Sequence, residues 1–90
     1  MIQNTELLEF FEEHYRNGRN SRRSIRMHDR LYDELGIDSL LASELLVALE
    51  DEYDVLLLHD PRVWKVATVG ELLELVRVVD LERRDRVAAA

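Results

Sequence analysis

The sequence predicts an all-α fold, a small four-helix bundle of three main helices and one short helix, with a long first loop. Three observations predict it. Apolar residues recur at helical spacing in three separate segments. Residues suited to capping stand directly before each of them. The one apolar run that resembles a strand, residues 54–59, has no second strand to pair with.

Residues 5–15, "TELLEFFEEHY", predict the first helix. Leu7, Leu8, Phe10, Phe11, His14 and Tyr15 share one face, and Glu6, Glu9, Glu12 and Glu13 share the other. Asn4 or Thr5 is its N-cap, and the early glutamates suit its positive end. Residues 16–38 lose the period. Gly18, Asn17, Asn20, Ser21 and Ser24 are turn formers, and Ile25, Met27, Leu31 and Leu35 are the apolar anchors. A loop this long is usually functional or tied down by its own side chains.

Residues 39–53, "SLLASELLVALEDEY", give the most regular helix. Ala42, Leu45, Leu46, Leu49 and Tyr53 gather on its core side at about 100° per residue. Leu40 and Val47 point nearly the opposite way, with Leu41 at the margin. Asp38 is the expected N-cap, and Gly36 permits a tight entry. Residues 54–59 then read as an apolar connection. Asp60 as N-cap and Pro61 at the first helical position start a short third helix, with Trp64 packing inward. "TVGELLELVRVV" opens on a capping box, Thr68 with Glu71, and buries Val69, Leu72, Leu73, Val76 and Val79. The helical core runs over residues 5–79 of a single domain, 1–90, and residues 80–90 form a frayed tail.

Composition narrows the function. Ninety residues at 47 % hydrophobic and 34 % charged suit one small folded domain. No apolar run approaches the roughly 20 residues that span a bilayer. The N-terminus lacks a basic region followed by an apolar one, so a cytoplasmic chain is expected, and Met1 with the short tails gives the expectation that it is free-standing. The absence of cysteine excludes disulfides, thiolate metal sites and cysteine nucleophiles. His14, His28 and His59 lack ligand spacing, so no metal is expected. A net charge of −7 disfavours nucleic acid and anionic membranes and favours basic partner surfaces. Residues 33–54 contain no Lys or Arg, while Arg16, Arg19, Arg22, Arg23, Arg26 and Arg30 crowd the first loop. Without interleaved aromatics, that loop reads as solvated or salt-bridged to Asp33, Glu34 and Asp38 rather than as a nucleic-acid patch.

The stretch "ELGIDSLLASELL", residues 34–46, carries the functional question. A serine hydroxyl is a weak nucleophile without an activating base. "GIDSL" is not the Gly-x-Ser-x-Gly elbow and no strand precedes it, so no catalytic residue is expected. Taken alone, Ser39 at the head of a helix is most simply a helix starter. The residues around it change that reading. Leu35, Gly36, Asp38, Ser39 and Leu40 form a five-residue pattern met by chance about once in ten thousand chains of this size.

That pattern resembles the 4′-phosphopantetheine attachment motif of acyl and peptidyl carrier proteins. Glu44 and Leu45, "ALEDEYDV" at 48–55 and "TVGELLELV" at 68–76 extend the resemblance from about Thr5 to Val79. The resemblance implies a non-catalytic carrier. A phosphopantetheinyl transferase, using coenzyme A and Mg²⁺, would join the arm to Ser39 through a phosphodiester, and the arm's thiol would hold an acyl, aryl or aminoacyl thioester. Asp38 would cap the helix and shape the transferase's approach. Leu40, Leu41, Glu44, Val47, Glu50 and Asp51 would contact partners: loading ligases or acyltransferases, synthases and tailoring enzymes. Leu41 and Ser43 stand where fatty-acid-synthase carriers usually have an acid and an apolar residue. "GIDS" likewise differs from the Gly-Gly-(His or Asp)-Ser of peptidyl carriers. These departures point to a free-standing carrier for polyketide, hybrid or related secondary-metabolite biosynthesis, such as that of an antibiotic, with a monomer as the default expectation. The alternative is an unmodified helical interaction module docking through Leu40, Leu41 and Val47.

Overall fold

Four helical segments follow in chain order: α1 (Asn4–Arg19), α2 (Ser39–Tyr53), a 3₁₀ helix (Pro61–Lys65) and α3 (Val69–Ala89). This computed structural model describes residues 2–19 and 23–89, without the side chains of 19 and 86–89. Arg22, Asn20 and Ser21, assigned above to the arginine-rich turn, lie outside the described residues, as do the side chains at the end of the tail. The described residues form no strand, only one isolated bridge between Arg30 and Thr68. The expected all-helical bundle is the observed one.

The core draws on every segment. Leu7 and Phe11 of α1, Leu49 of α2, Leu57 of the connection, and Val69, Leu73 and Val76 of α3 are fully buried. Each such side chain contributes roughly 1.5–3 kcal/mol of transfer free energy, which offsets the entropy lost on ordering the chain. These residues are the stripes that the 3.6-residue period picks out. The period fails for Trp64, expected inside but 55 % exposed. A single 3₁₀ turn has only three residues per turn and one inward face, and Val63 occupies it.

The first loop is shorter than the sequence suggests, because α1 continues to Arg19 with Arg16 paired to Glu12 at 3.3 Å. The loop is tied down by its own side chains. Glu12 accepts the Ile25 amide at 2.7 Å, fixing buried Ile25. Asp29, itself buried, accepts the Arg26 amide at 2.9 Å and pairs with Arg23 at 3.4 Å. Arg30 pairs with Asp33 at 3.2 Å and Arg23 with Glu34 at 3.9 Å, as expected for two of the three acids. Asp38 is otherwise engaged, as the cap of α2.

The loop also completes the start of α3. A helix leaves its first amides without internal partners. Here Asp29 O accepts from Val69 N at 3.0 Å and Met27 O accepts from Gly70 N at 2.7 Å. Thr68 Oγ1 accepts from Glu71 N at 3.2 Å, and the Glu71 carboxylate returns to the Ala67 amide at 3.1 Å. The capping box therefore forms, with its second bond one residue earlier than the usual pattern. At the other end, α3 runs past Val79 through the segment assigned above to a tail. Buried Asp80 binds Arg83 at 3.4 Å and Arg84 at 3.0 Å, and Arg83 reaches Asp54 at 3.4 Å. No helix among the described residues is long and apolar enough to cross a membrane.

Tyr15 links α1 to the segment that precedes α2. Its buried hydroxyl donates to Leu35 O at 2.8 Å. Tyr15→Phe is expected to cost about 1 kcal/mol and leave that carbonyl unpaired. Hydrogen exchange should then quicken at residues 35–38, and unchanged protection there would show that the bond does not hold the segment.

Asp60 caps the 3₁₀ helix by accepting the Arg62 amide at 2.9 Å. Arg62 Nη2 bridges Asp60 at 2.7 Å and Glu82 at 2.8 Å. The hydrogen bonds from the Arg62 side chain, and then from its amide, hold the Asp60 carboxyl below the usual aspartate range. As pH falls, the unfolded chain takes up that proton first. The stabilisation is therefore complete above about pH 4 and lost as pH drops through the lowered folded value. Thermal melts of Asp60→Asn should fall less steeply with acid than those of the wild type, and parallel slopes would refute the assignment.

Candidate functional site

The site is built where the loop turns into α2. Gly36 takes a φ of 61°, a left-handed conformation that favours glycine, and so turns the chain into the helix. Asp38 is extended, and its Oδ1 accepts the Leu41 amide at 2.8 Å, as expected of the cap. Ser39 follows as the first helical residue and is exposed. Its Oγ makes no hydrogen bond among the described residues, and its carbonyl accepts from Ser43 Oγ at 3.0 Å. The amides of Ser39 and Leu40 also have no partner among the described residues. An accessible hydroxyl beside two free amides at the positive end of a helix suits an anionic substituent.

Among the described residues no side chain hydrogen-bonds that hydroxyl. His14 lies on α1 with Nδ1 at 3.0 Å from Phe10 O, and exposed His28 sits beside Asp29. No group of three or more His, Cys, Asp or Glu among the described residues is placed to hold a metal ion.

The residues expected to meet partners divide. Leu40 is 69 % exposed and Val47 42 %, on the outer face of α2 with exposed Glu44 and Asp51. Leu41 corrects the expectation, for it is buried. Gly18 in the last turn of α1 approaches so closely that a Cβ there would stand 2.6 Å from Leu41 Cδ1. The extra turn of α1 covers Leu41, and a loop beginning at residue 16 hides that from the sequence. Glu50 is the second correction. Its Oε2 accepts the amides of Leu57 at 2.6 Å and Leu58 at 3.0 Å, so the carboxylate is engaged with the connection within the chain.

Two features escaped the sequence reading. The Phe10 and His14 rings stack at 4.2 Å, and Phe10 meets Tyr53 edge-on at 5.5 Å. Burial, and then the Glu6 and Glu52 carboxylates, push the Tyr53 phenol up to about 12. The stack lines an open groove of about 730 Å³ between α1 and α2. Its one sequence signal is the four-residue spacing of Phe10 and His14. On the other side of α2, half-exposed Tyr32 and Trp64 line an apolar cavity of about 30 Å³, room for about one water.

Comparison with known proteins agrees with this geometry. Residues 21–76 match the family described as the phosphopantetheine attachment site. An acyl carrier protein of Clostridium acetobutylicum is 38 % identical over 53 residues, 59 % of this chain and 68 % of that relative. With its helical bundle and a matched segment that spans most of the described chain, the protein belongs to the phosphopantetheine-binding carrier family, whose members bear a covalent 4′-phosphopantetheine.

Proposed function

We propose that Ser39 Oγ bears the phosphopantetheine arm and that residues 1–90 act as one carrier domain. The observation that carries this reading is the exposed, unbonded hydroxyl at the head of α2 beside two free amides. Ser39 Oγ would attack the pantetheine-side phosphorus of coenzyme A, forming the phosphodiester as the pyrophosphate P–O bond breaks and adenosine 3′,5′-bisphosphate leaves, while the hydroxyl proton goes to a base on the transferase. The amides of Ser39 and Leu40 then face the new phosphate, whose negative charge the helix end favours. Asp38 holds the turn by capping Leu41 N, so the hydroxyl stands clear of the bundle. When bound, the arm supplies a thiol that holds an acyl, aryl or aminoacyl group as a thioester.

Carrier proteins work with a transferase and with acyl-handling enzymes, and this surface has parts for both. Leu40 and Val47 offer apolar contact, and Glu44 and Asp51 steer basic partners, speeding encounter more than tightening the complex. The first turn of α2 presents Leu40, with Leu41 turned inward, and so lacks the acid usual in fatty-acid-synthase carriers. This favours a loading enzyme, synthase or tailoring enzyme of polyketide, hybrid or related specialised biosynthesis, acting on a cytoplasmic monomer.

The test is a mass. Incubation with a broad-specificity phosphopantetheinyl transferase, coenzyme A and Mg²⁺ should add one phosphopantetheine. Ser39 and Ser43 are the serines between Arg30 and Arg62, so fragmentation of that tryptic peptide locates the gain. An unchanged mass, or a gain placed on Ser43, overturns the reading.

A further inference from the structure

Two openings beside α2 differ in what they can hold. The cavity at Tyr32 and Trp64 has about 30 Å³, room for about one water and too small for an acyl group. The groove between α1 and α2 has about 730 Å³, within the ~300–1,000 Å³ usual for small-molecule sites. It begins at Ser43, one turn beyond Ser39, and Ser43 Oγ donates to Ser39 O at 3.0 Å. Its floor is Val47 and Ala48 of α2 with the Phe10 ring of α1. His14 stacks on that ring at 4.2 Å, and Tyr53 meets it edge-on at 5.5 Å. On the rim, Glu44, Asp51 and Glu52 make no ion pair among the described residues.

We infer that this groove holds the ring of an aromatic cargo, aryl or aromatic aminoacyl, carried on the arm of Ser39, and turns away cargo that bears a carboxylate. The inference rests on the carrier reading and narrows its substrate class. Reach comes first. Ala48 lies nine residues along α2 from Ser39, roughly 13 Å of helix rise. Phosphopantetheine has about thirteen bonds from phosphorus to sulfur, as many as about four residues of extended chain, and so spans roughly 14 Å. Ser39 is therefore placed to set a thioester down over Val47 and Ala48. Strength comes second. A short flexible tether holds its end at about millimolar effective concentration, so a contact of about 1 mM is half filled and an open groove suffices. A ring over Val47 and Ala48 meets the Phe10–His14 pair, and offset or edge-to-face approach adds to its apolar burial. Charge comes third. A group over Ala48 lies three residues from Asp51 and four from Glu44, within about one Debye length of each, ~10 Å at ~0.1 M salt. The ammonium of an aminoacyl group is attracted there, and a carboxylate is repelled.

The probes are phenylacetyl-, hexanoyl- and para-carboxyphenylacetyl-coenzyme A. A broad-specificity transferase loads each arm onto ¹⁵N-labelled protein, and intact mass verifies each load. Relative to the chain bearing the free thiol arm, the phenylacetyl group should shift the amides of Phe10, His14 and residues 47–52. The hexanoyl group, which has no ring, should shift them less. The para-carboxyphenylacetyl group should leave them in place in the wild type and shift them in Glu44→Gln/Asp51→Asn. Half-filling of the groove should also shield the phenylacetyl thioester, so hydroxylamine should cleave it about twofold faster in Phe10→Leu than in the wild type. Ala48→Gln, which crowds the floor from a half-buried position, should give the same increase and serves if Phe10→Leu fails to fold. Shifts centred on Tyr32 and Trp64, equal shifts from all three groups, or unchanged cleavage in both variants would each overturn the inference. Mass separates the two failures. A chain that gains no arm sinks the carrier reading and the groove with it, whereas a loaded chain without those shifts sinks the groove alone.

Discussion

Ser39→Ala is expected to yield a folded protein that gains no phosphopantetheine. The loss should be complete because the bond being made is to Oγ itself and alanine offers no substitute. The fold should not notice. The hydroxyl makes no hydrogen bond among the described residues, and the side chain is exposed. Alanine is also the better helix former, so the melting curve should move by no more than about 0.5 kcal/mol equivalent. Intact mass and circular dichroism together check the claim. Ser43→Ala is the matched control. It removes the bond to Ser39 O at 3.0 Å but leaves Oγ of Ser39 in place, and the mass gain should persist. A Ser39→Ala protein that still gains mass would move the attachment elsewhere. A Ser39→Ala protein that unfolds would mean the side chain has a structural role.

Asp38→Asn separates two duties of the cap. Asparagine caps as well as aspartate, so the helix start should survive. Any slowing of modification in that variant then reports the charge beside Ser39 rather than the shape of the turn.

Much of this was legible because the fold rests on local signals. The 3.6-residue period picked out Leu7, Phe11, Leu45, Leu46, Leu49, Leu73 and Val76, all of which are buried. The caps at Asp38, Asp60 and Thr68 are set by neighbouring residues and appear as expected. Gly36 was legible as the entry turn for the same reason. The misreadings are places where a distant contact decides. Leu41 sits at the margin of a helical wheel, and Gly18, 23 positions earlier in the chain, packs against it. The extent of α1 was misjudged because Arg16, Asn17 and Gly18 look like loop residues, while the Glu12–Arg16 pair and the packing on Leu41 keep them helical. Trp64 was placed by hydrophobicity, but the geometry of a single 3₁₀ turn gives the inward position to Val63. The groove was invisible because it belongs to two helices at once.

Glu50→Ala is the second large effect, and it separates a structural acid from a docking acid. Glu50, Asp51 and Glu52 are consecutive, and composition treats them alike. In the fold, Glu50 alone of the three turns its carboxylate to backbone amides, accepting from Leu57 at 2.6 Å and Leu58 at 3.0 Å. Those bonds set the chain just after the left-handed Asp54, where α2 ends, and they hold Leu57 in the core with no exposure. A carboxylate accepting from amides is a charge-assisted bond, stronger than a neutral one. Its removal leaves two part-buried N–H groups without partners, a cost of about 2–3 kcal/mol after water reaches some of the gap. For a domain this size that lowers the melting temperature by about 10 °C or more. Glu50→Gln keeps one acceptor oxygen and should fall between. Asp51→Ala, on the exposed face with no such bonds, should shift stability by less than about 0.5 kcal/mol. A docking role for Glu50 predicts the reverse pattern, in which Glu50→Ala and Asp51→Ala melt alike and differ from wild type only in the presence of a basic partner. Urea titrations of the three variants decide between them, because the structural role acts on the isolated chain and the docking role cannot.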